Sequence, residues 1–335
     1  MNMLGYTIKQ MSYAYATLVM IDYKYVIGAI SLSQSLMKSE SKYDTICMVT
    51  PDIDTCYVEL LKPHFTHVVH VPYINIQTKP FKSEKRKSIY QKWINKSYTK
   101  LNIMNLDNYD KVCWLDSDMV IINNIDHLFQ LTTPIGVFSN HWFDHIEPKY
   151  NNRNFVSCNF YKKYNELDII PHDLINKSLN NNGFVASGNL FIINPSRKEL
   201  SEMLVAITAD TSFGFNCASG GDEQALCYYQ SVIKNRDWTC LKLGYNVIPW
   251  KLDESLGNAK PYILHFNMEN KPWDINSHSW EDVNIWWAYA NLNYNIKPLC
   301  SILNIKHKNI NDDLCMCIIF KTKHVGNTIA CPIHN

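Results

Sequence analysis

We predict an α/β fold in which helices cover a mostly parallel central sheet. The main observation is that short β-rich segments alternate with segments whose apolar residues recur at helical spacing. The second is that 46% of the 335 residues are hydrophobic, which is enough to bury a large core. Together these observations predict one large domain with an appended lobe.

The first part of the chain alternates predicted strands with predicted helices. Residues 13–21 form a β-rich run that ends in polar Asp22, and residues 26–36 carry apolar residues at helical spacing. The predicted elements are strand 13–21, helix 26–36, strand 43–50, helix 56–61 and strand 67–72. This alternation predicts parallel pairing, because parallel strands are usually joined by helical crossovers.

Two aspartates directly follow the predicted central strand at residues 111–115. In open α/β sheets this end of a strand faces the ligand crevice. If the extended conformation continues through Ser117, the carboxylates of Asp116 and Asp118 point to the same face. One manganese or magnesium ion could then bind both and keep coordination positions for a diphosphate. The alternative is an ordinary turn with two solvated acids.

The alternation is interrupted after the two aspartates. Residues 139–183 are polar, aromatic and rich in asparagine, so we interpret them as an insertion or lid over the acceptor side of a cleft. The other predicted elements are strands 119–122, 135–138, 184–194 and 262–264 and helices 196–209 and 280–289. We therefore predict a domain at residues 1–275, which includes the lid, and a C-terminal helical extension and tail at residues 276–335.

Three later residues could serve a binding site. His265 follows the strand at residues 262–264 and could be a third metal ligand, while Lys271 offers a positive charge to phosphate. Asp222 follows a glycine pair at a predicted helix start. Taken singly, each also has a structural interpretation as a strand-end histidine, a surface lysine or a helix N-cap. Lys100 is one basic residue within a basic run, and the sequence pattern by itself does not indicate a function for it.

Charge and cysteine usage argue against several kinds of partner and location. Lysine plus arginine (32) nearly balance aspartate plus glutamate (31), so we expect no nucleic acid partner. No apolar run approaches the ~20 residues of a membrane span, so we expect no transmembrane segment. Eleven scattered cysteines without a C-x-x-C pair predict a reducing compartment and hence a cytoplasmic location.

The order of these motifs resembles that of the glycogenin-like retaining glycosyltransferases, family 8, from about residue 13 to residue 275. The H-F-x-x-x-x-K-P-W match at residues 265–273 is specific, and the D-x-D match at residues 116–118 is moderately specific. The other matching positions are Asp22, Tyr25, Gly28, Ala29, Lys100, Ser187, Gly188 and residues 220–222.

The resemblance implies a Rossmann-like α/β domain, the GT-A glycosyltransferase fold. It also implies transfer of a hexose, with glucose as the first candidate, from a UDP-sugar to a hydroxyl of a saccharide or protein acceptor. Configuration would be retained, and manganese or magnesium would be required. A homodimer is a further possibility.

The resemblance also assigns site residues. The metal ligands that it implies are Asp116, Asp118 and His265. Asp222 and Lys271 are the implied catalytic residues, with Asp222 beside the donor sugar and Lys271 on the diphosphate. The implied donor-binding residues are Asp22, Tyr25, Lys100, Ser117, Ser187, Gly188, Gln224 and Lys271.

The chain departs from the family pattern at two positions. Ala186 stands where glycogenins have asparagine before Ser-Gly, and Met268 replaces a glycine of the phosphate loop. These differences leave the transferred sugar open, and self-glucosylation is not supported by any aligned tyrosine. Two other classes of protein also stay open. One is a non-catalytic nucleotide-sugar-binding or structural protein, and the other is a D-x-D phosphatase of the haloacid dehalogenase type.

Overall fold

The computed structural model describes residues 11–78, 84–138, 164–180, 186–209, 221–249, 261–291 and 296–308. Within these ranges, eight strands form one mixed sheet and two strands form a second, small sheet. The strands are β1 (Tyr13–Val19), β2 (Asp44–Val49), β3 (His67–His70), β4 (Lys111–Leu115), β5 (Met119–Ile121), β6 (Ile135–Val137), β7 (Ile169–Ile170), β8 (Leu190–Ile193), β9 (Trp238–Leu241) and β10 (Ile263–His265).

Helices occupy most of the connections between these strands. The α-helices are α1 (Tyr25–Lys38), α2 (Thr55–Leu61), α3 (Glu84–Tyr90), α4 (His172–Asn180), α5 (Arg197–Ala209), α6 (Gly221–Cys227), α7 (Glu281–Asn291) and α8 (Ile296–Ile302). A 3₁₀ helix at Ile94–Asn105 precedes β4, and a π-helical turn at Tyr228–Ile233 continues α6. No helix in the described part of the chain is both long and apolar enough to cross a membrane.

The large sheet has the strand order β3-β2-β1-β4-β8-β6-β9-β7. The four strands β3, β2, β1 and β4 pair in parallel, as do β6 and β9. Strand β8 runs antiparallel to both β4 and β6, and β7 runs antiparallel to β9. The predicted α/β class with a mostly parallel sheet is confirmed, and the predicted elements up to β3 agree within two residues at each end.

The small sheet joins a late segment of the chain to the two aspartates. Strands β5 and β10 pair antiparallel, with Met119 opposite His265. In addition, the Phe266 N–H donates to the carbonyl of Asp118 at 3.0 Å. This pairing brings His265 beside the turn that follows β4.

Both faces of the large sheet are buried. Along β1, Ala14 and Ala16 pack in one hydrophobic cluster, whereas Tyr15 and Val19 pack in clusters on the opposite face. This is the period-two alternation of a strand covered on both sides. Helix α7 contributes Trp286 and Trp287 to the cluster that also contains α1. The division of the chain at residue 275 stays a prediction.

The extended conformation does not continue through Ser117. Strand β4 ends at Leu115, and the Met119 N–H donates to the Asp116 carbonyl at 3.1 Å, which closes a tight turn. The turn forms because the chain must leave the large sheet after β4 and enter the small sheet at β5. Asp116 and Asp118 therefore approach one another across a turn and not along one face of a strand.

Residues 164–180 of the predicted lid are part of the large sheet and its helical cover. These residues contain β7 and α4, and β7 pairs with β9 at the edge of the large sheet. Ile170 and Ile175 are 0% exposed, so this segment belongs to the hydrophobic core. The other residues of the predicted lid, 139–163 and 181–183, lie outside the described residues. An acceptor role for residues 139–183 stays a prediction.

Candidate active site

A cavity of about 460 Å³ lies where β1 and β4 end. Its lining combines apolar and aromatic side chains with three lysines and three aspartates. Such a lining suits a ligand that has both a flat, apolar part and an anionic part. The lining residues are Leu18, Met20, Ile21, Asp22, Tyr25, Lys92, Trp93, Ser97, Lys100, Trp114, Asp116, Ser117, Asp118 and Lys271.

Three side chains at this cavity form a compact group of metal-ligating atoms. One ligand atom from each of Asp116, Asp118 and His265 lies within 4.8 Å of the others. Asp118 and His265 are buried, and Asp116 is partly buried. Carboxylate oxygens suit manganese and magnesium, and a neutral imidazole nitrogen is also accepted by manganese. The donor set therefore fits one divalent cation.

A buried asparagine orients the His265 ring. Nδ1 of His265 lies 2.8 Å from Oδ1 of Asn246, so the assigned tautomer carries its proton on Nδ1. Nε2 then faces the aspartates, at 3.3 Å from Oδ1 of Asp118. Hydrogen bonds of this kind fix the ring of metal-ligating histidines. Asn246 is only 5% exposed, so its side chain is held in the position from which it orients His265.

Lys271 contacts Asp118 through Oδ2, the carboxylate oxygen that does not face His265. Its ammonium lies 2.6 Å from Oδ2 of Asp118. The Lys271 backbone N–H donates to the carboxylate of Asp274 at 2.7 Å, which holds the loop in place. Burial acts to raise the pKa of Asp118, but the adjacent Lys271 ammonium outweighs it and holds that pKa below its ordinary value. Both partners of this ion pair therefore stay charged.

Lys100 links three segments on the other side of the cavity. Its ammonium lies 2.9 Å from Oδ2 of Asp222, 3.6 Å from Oδ1 of Asp116 and 3.0 Å from the Gly188 carbonyl. Burial lowers the pKa of Lys100, yet Asp116 and Asp222 raise it above its ordinary value overall. The antiparallel direction of β8 makes this contact possible, because its first residues lie beside the end of β4.

Gly188 allows helix α6 to approach this contact closely. A Cβ atom at residue 188 would lie 2.6 Å from Cγ of Glu223 and 2.8 Å from Oδ2 of Asp222. Burial and the neighbouring Asp222 raise the pKa of Glu223 to about 8. Glu223 is therefore protonated over much of the neutral range.

A second glycine brings helix α1 against the turn of the two aspartates. A Cβ atom at Gly28 would lie 2.6 Å from the Ser117 carbonyl oxygen and 2.7 Å from the Trp273 ring. Trp273 in turn packs edge-on against Tyr25, with the ring centroids 5.1 Å apart. The absence of a side chain at Gly28 thus fixes the position of the turn relative to helix α1.

The structure places the predicted site residues at three distances from the cavity. Those that line it are Asp22, Tyr25, Lys100, Asp116, Ser117, Asp118 and Lys271. Those that contact a lining residue are His265, Asp222 and Gly188. Those that are not brought to the cavity lining are Ser187, which accepts the Asn189 N–H through Oγ at 3.4 Å, and Gln224 of α6. The functional roles of all of these residues stay predictions.

The sequence motifs did not identify several residues of the site. Asn246 and Glu223 carry no local pattern that sets them apart, and Lys92 and Trp93 belong to a basic, polar stretch. Trp114 could have been found, because residues i and i+2 of a strand share a face. Its indole N–H donates to Oδ1 of Asp116 at 2.8 Å, two residues along the chain.

Ala186 has a packing role in the segment that precedes β8. A Cβ atom at Gly136 of the neighbouring strand would lie 2.6 Å from the Ala186 Cβ, so the two backbones approach closely here. Ala186 is 3% exposed. Its small size thus serves the packing of β6 beside the residues before β8, which is a reason for its departure from the family pattern.

Comparison with known proteins relates this chain to the glycosyltransferases. The sequence profile of glycosyl transferase family 8 matches residues 16–206. An uncharacterised protein of Acanthamoeba polyphaga mimivirus is 26% identical over 269 residues, which cover 78% of this chain and 83% of that protein. Galactinol synthase 1 of Solanum lycopersicum is 31% identical over 125 residues, or 37% of this chain and 38% of that enzyme.

A further plant relative matches over a similar part of the chain. UDP-glucuronate:xylan alpha-glucuronosyltransferase 1 of Arabidopsis thaliana is 30% identical over 118 residues, which cover 35% of this chain and 16% of that enzyme. The chain thus spans well under half the length of these two plant enzymes.

Solved structures share the fold. The galactosyltransferase LgtC, in complex with donor and acceptor sugar analogues, superposes over 87% of this chain and 99% of its own, with a TM-score of 0.52 and 10% identity. The bifunctional glycosyltransferase WbbM covers 89% of this chain and 52% of its own, with a TM-score of 0.51 and 16% identity. The fold is therefore that of the GT-A glycosyltransferases.

Proposed function

Because the chain belongs to glycosyl transferase family 8, we propose that it transfers a hexose from a UDP-sugar to an acceptor hydroxyl with retention of configuration. Glucose is the first donor sugar to test, and the acceptor is a saccharide or a protein. The observation that carries the proposal is the grouping of Asp116, Asp118 and His265 beside Lys271 at the wall of one cavity. Cytoplasmic location and a homodimer are proposed on the sequence alone.

The chemistry of the three side chains supports a divalent cation. Asp116, Asp118 and His265 would hold manganese or magnesium, and Asn246 keeps the histidine nitrogen available. Such a cation, when bound, supplies Lewis-acid stabilisation of the negative charge on a departing nucleoside diphosphate. Lys271 would donate charge-assisted hydrogen bonds to the same diphosphate.

On the side of the transferred sugar, Asp222 is the proposed catalytic residue. The Lys100 ammonium, 2.9 Å away, fixes the direction of its carboxylate. Two routes to retention fit this placement. The acceptor hydroxyl could attack the anomeric carbon from the side of the leaving group, or Asp222 could form a transient covalent adduct that the acceptor then displaces.

A donor panel tests the proposed function. The protein is incubated with manganese and UDP-glucose, UDP-galactose or UDP-glucuronate, the last because one group of relatives is named for it. Released UDP is measured with and without a chelator. We expect metal-dependent UDP release from one donor, and the anomeric configuration of the product is then read by NMR. If no donor is consumed but UDP still binds, the non-catalytic alternative is correct.

A further inference from the structure

A strained turn at the end of β1 forms part of the cavity lining. Ile21 has a φ of 68°, in the left-handed region that a branched side chain rarely adopts. The Asp22 N–H donates to the Met20 carbonyl at 2.7 Å, so these three residues form a classic γ-turn, which is rare and strained. Strain of this kind persists only where the surroundings hold it, and it concentrates at ligand sites.

Asp52, in the loop after β2, is the side chain that holds this turn. Its Oδ2 accepts the Ile21 N–H at 3.1 Å. Its Oδ1 accepts the hydroxyl protons of Thr50 and Tyr73 at 2.5 and 2.7 Å, which fixes the plane of the carboxylate. Partial burial raises the pKa of Asp52, but these hydrogen bonds outweigh it and lower the pKa overall. The carboxylate is therefore ionised and oriented.

We propose that Asp52 is a positioning residue for the nucleobase of the donor and acts through the strained turn at Ile21. The turn presents Met20, Ile21 and Asp22 to the cavity in succession. A flat base would pack on the first two side chains, and the Asp22 carboxylate would accept an N–H from the edge of the base. The inference rests on the proposed use of a nucleotide sugar.

In this proposal, the residues that recognise the base are separate from those that recognise the diphosphate. In the described part of the chain, the hydrogen bonds to the Asp52 carboxylate come from Ile21, Thr50 and Tyr73, and not from groups suited to a diphosphate and its cation. Loss of the Asp52 hydrogen bond would let the γ-turn relax and would redirect Ile21 and Asp22. Affinity for the base would fall, while affinity for the anionic part would be preserved.

Calorimetry with Asp52→Ala tests this division. In saturating manganese, the Kd for UDP should rise about fivefold, as expected for loss of the single hydrogen bond that Asp52 makes to the turn, and the Kd for inorganic pyrophosphate should stay unchanged. The preference for UDP over GDP should fall as well. Equal losses for UDP and pyrophosphate, or no loss for either, would overturn the inference.

Three further variants separate positioning from general damage. Asp54→Ala removes an exposed aspartate two residues away, whose side chain caps no helix, and should leave all affinities unchanged. Asp52→Asn keeps an oxygen that can accept the Ile21 N–H and should restore most of the UDP affinity. Ile21→Gly makes the positive φ unstrained, so in that background Asp52→Ala should change the Kd for UDP less than about twofold.

The wild-type protein distinguishes failure of the inference from failure of the proposed function. Its affinities for UDP, GDP and pyrophosphate are measured first in manganese. If no nucleotide binds more tightly than pyrophosphate, the proposed nucleotide-sugar donor is wrong. If a nucleotide does bind and Asp52→Ala leaves its affinity and its base preference unchanged at an unaltered melting temperature, only the role of Asp52 is wrong.

Discussion

At the scale of single residues, Asp118 is the group on which the candidate site depends most. One of its oxygens contacts Lys271 at 2.6 Å and the other lies 3.3 Å from His265. Altering this buried carboxylate is costly, because the Lys271 ammonium would lose its counter-charge. Its replacement should therefore affect ligand binding more than a surface change of the same kind.

We predict that Asp118→Asn abolishes manganese-dependent UDP binding. Asparagine keeps the size of the side chain but removes the negative charge that a divalent cation requires. The Kd for UDP in manganese should rise at least about tenfold, measured by calorimetry. The control is Asp107→Asn, an exposed aspartate paired with Arg197, which should bind UDP as the wild type does. Equal UDP affinities in all three proteins, with no loss on chelation, would remove Asp118 from the metal site.

We predict that Glu223→Gln changes the pH dependence of stability. The pKa of Glu223 is raised from 4.5 to about 8, so between these values the folded protein keeps a proton that the unfolded chain releases. The free energy of unfolding of the wild type therefore falls as the pH rises through this window. Glutamine is neutral throughout and should raise the melting temperature at pH 9, by about 2 °C or more, but not at pH 4.5.

The control for this prediction is Glu59→Gln. Glu59 is exposed and forms a surface ion pair with Lys62 at 2.6 Å, which contributes little. Its melting temperature should follow that of the wild type across the same pH range. A constant difference between Glu223→Gln and wild type from pH 4.5 to pH 9 would mean that Glu223 does not titrate in this window.

At the scale of elements, strand direction assembles the site. Because β8 is antiparallel to β4, the residues that precede it reach Lys100 beside the end of β4. Because β10 is antiparallel to β5, its last residue, His265, lies next to the aspartate turn. Helix α1 completes the arrangement by packing against this turn at Gly28.

We predict that Gly28→Ala destabilises the protein and weakens manganese binding. Alanine favours a helix over glycine by about 1 kcal/mol, but the new Cβ would lie 2.6 Å from the Ser117 carbonyl oxygen. Overpacking against backbone costs about 1–3 kcal/mol, so the net effect should be destabilising. Displacement of Ser117 should also move Asp116 and Asp118 apart.

Calorimetric titration of manganese and thermal unfolding measure the two effects. The matched control is Ala29→Gly on the next residue of the same helix. It should lower stability by about 1–2 kcal/mol, through helix propensity and the loss of a buried methyl group, and leave manganese affinity unchanged. A stabilised Gly28→Ala protein with normal manganese affinity would show that the turn at Ser117 can move to accommodate the added methyl group without loss of stability.

At the scale of the whole molecule, the edge of the large sheet is completed by residues from the predicted lid. Strand β7 pairs with β9, and its two residues differ sharply, since Ile169 is 48% exposed and Ile170 is 0% exposed. Strand β7 thus buries one of its two side chains in the hydrophobic core. This contrast between neighbours offers a direct test.

We predict that Ile170→Ala lowers the free energy of unfolding by about 2–5 kcal/mol, the range for removing a buried isoleucine side chain. Ile169→Ala, on the exposed face of the same strand, should change it by less than about 0.5 kcal/mol. Denaturant unfolding gives both values, and UDP affinity should be normal in both folded variants. Equal effects of the two substitutions would show that the Ile170 side chain does not stabilise the hydrophobic core more than the Ile169 side chain does.

The sequence by itself determined the fold class, the elements up to β3 and the motifs that match the family. These features are local, because helical and strand periodicity and short motifs lie within a few neighbouring residues. The sequence also singled out Asp116, Asp118, His265 and Lys271, although each was ambiguous when considered alone.

Only the tertiary structure decided which of these residues meet and which others join them. Lys100 and Asp222 are 122 positions apart, and so their ion pair leaves no periodic or local signal. Asn246 orients His265 only because both chain segments lie beside the small sheet. Strand direction and the close approach of backbones at glycines depend on packing across the whole chain, and a local pattern does not contain that information.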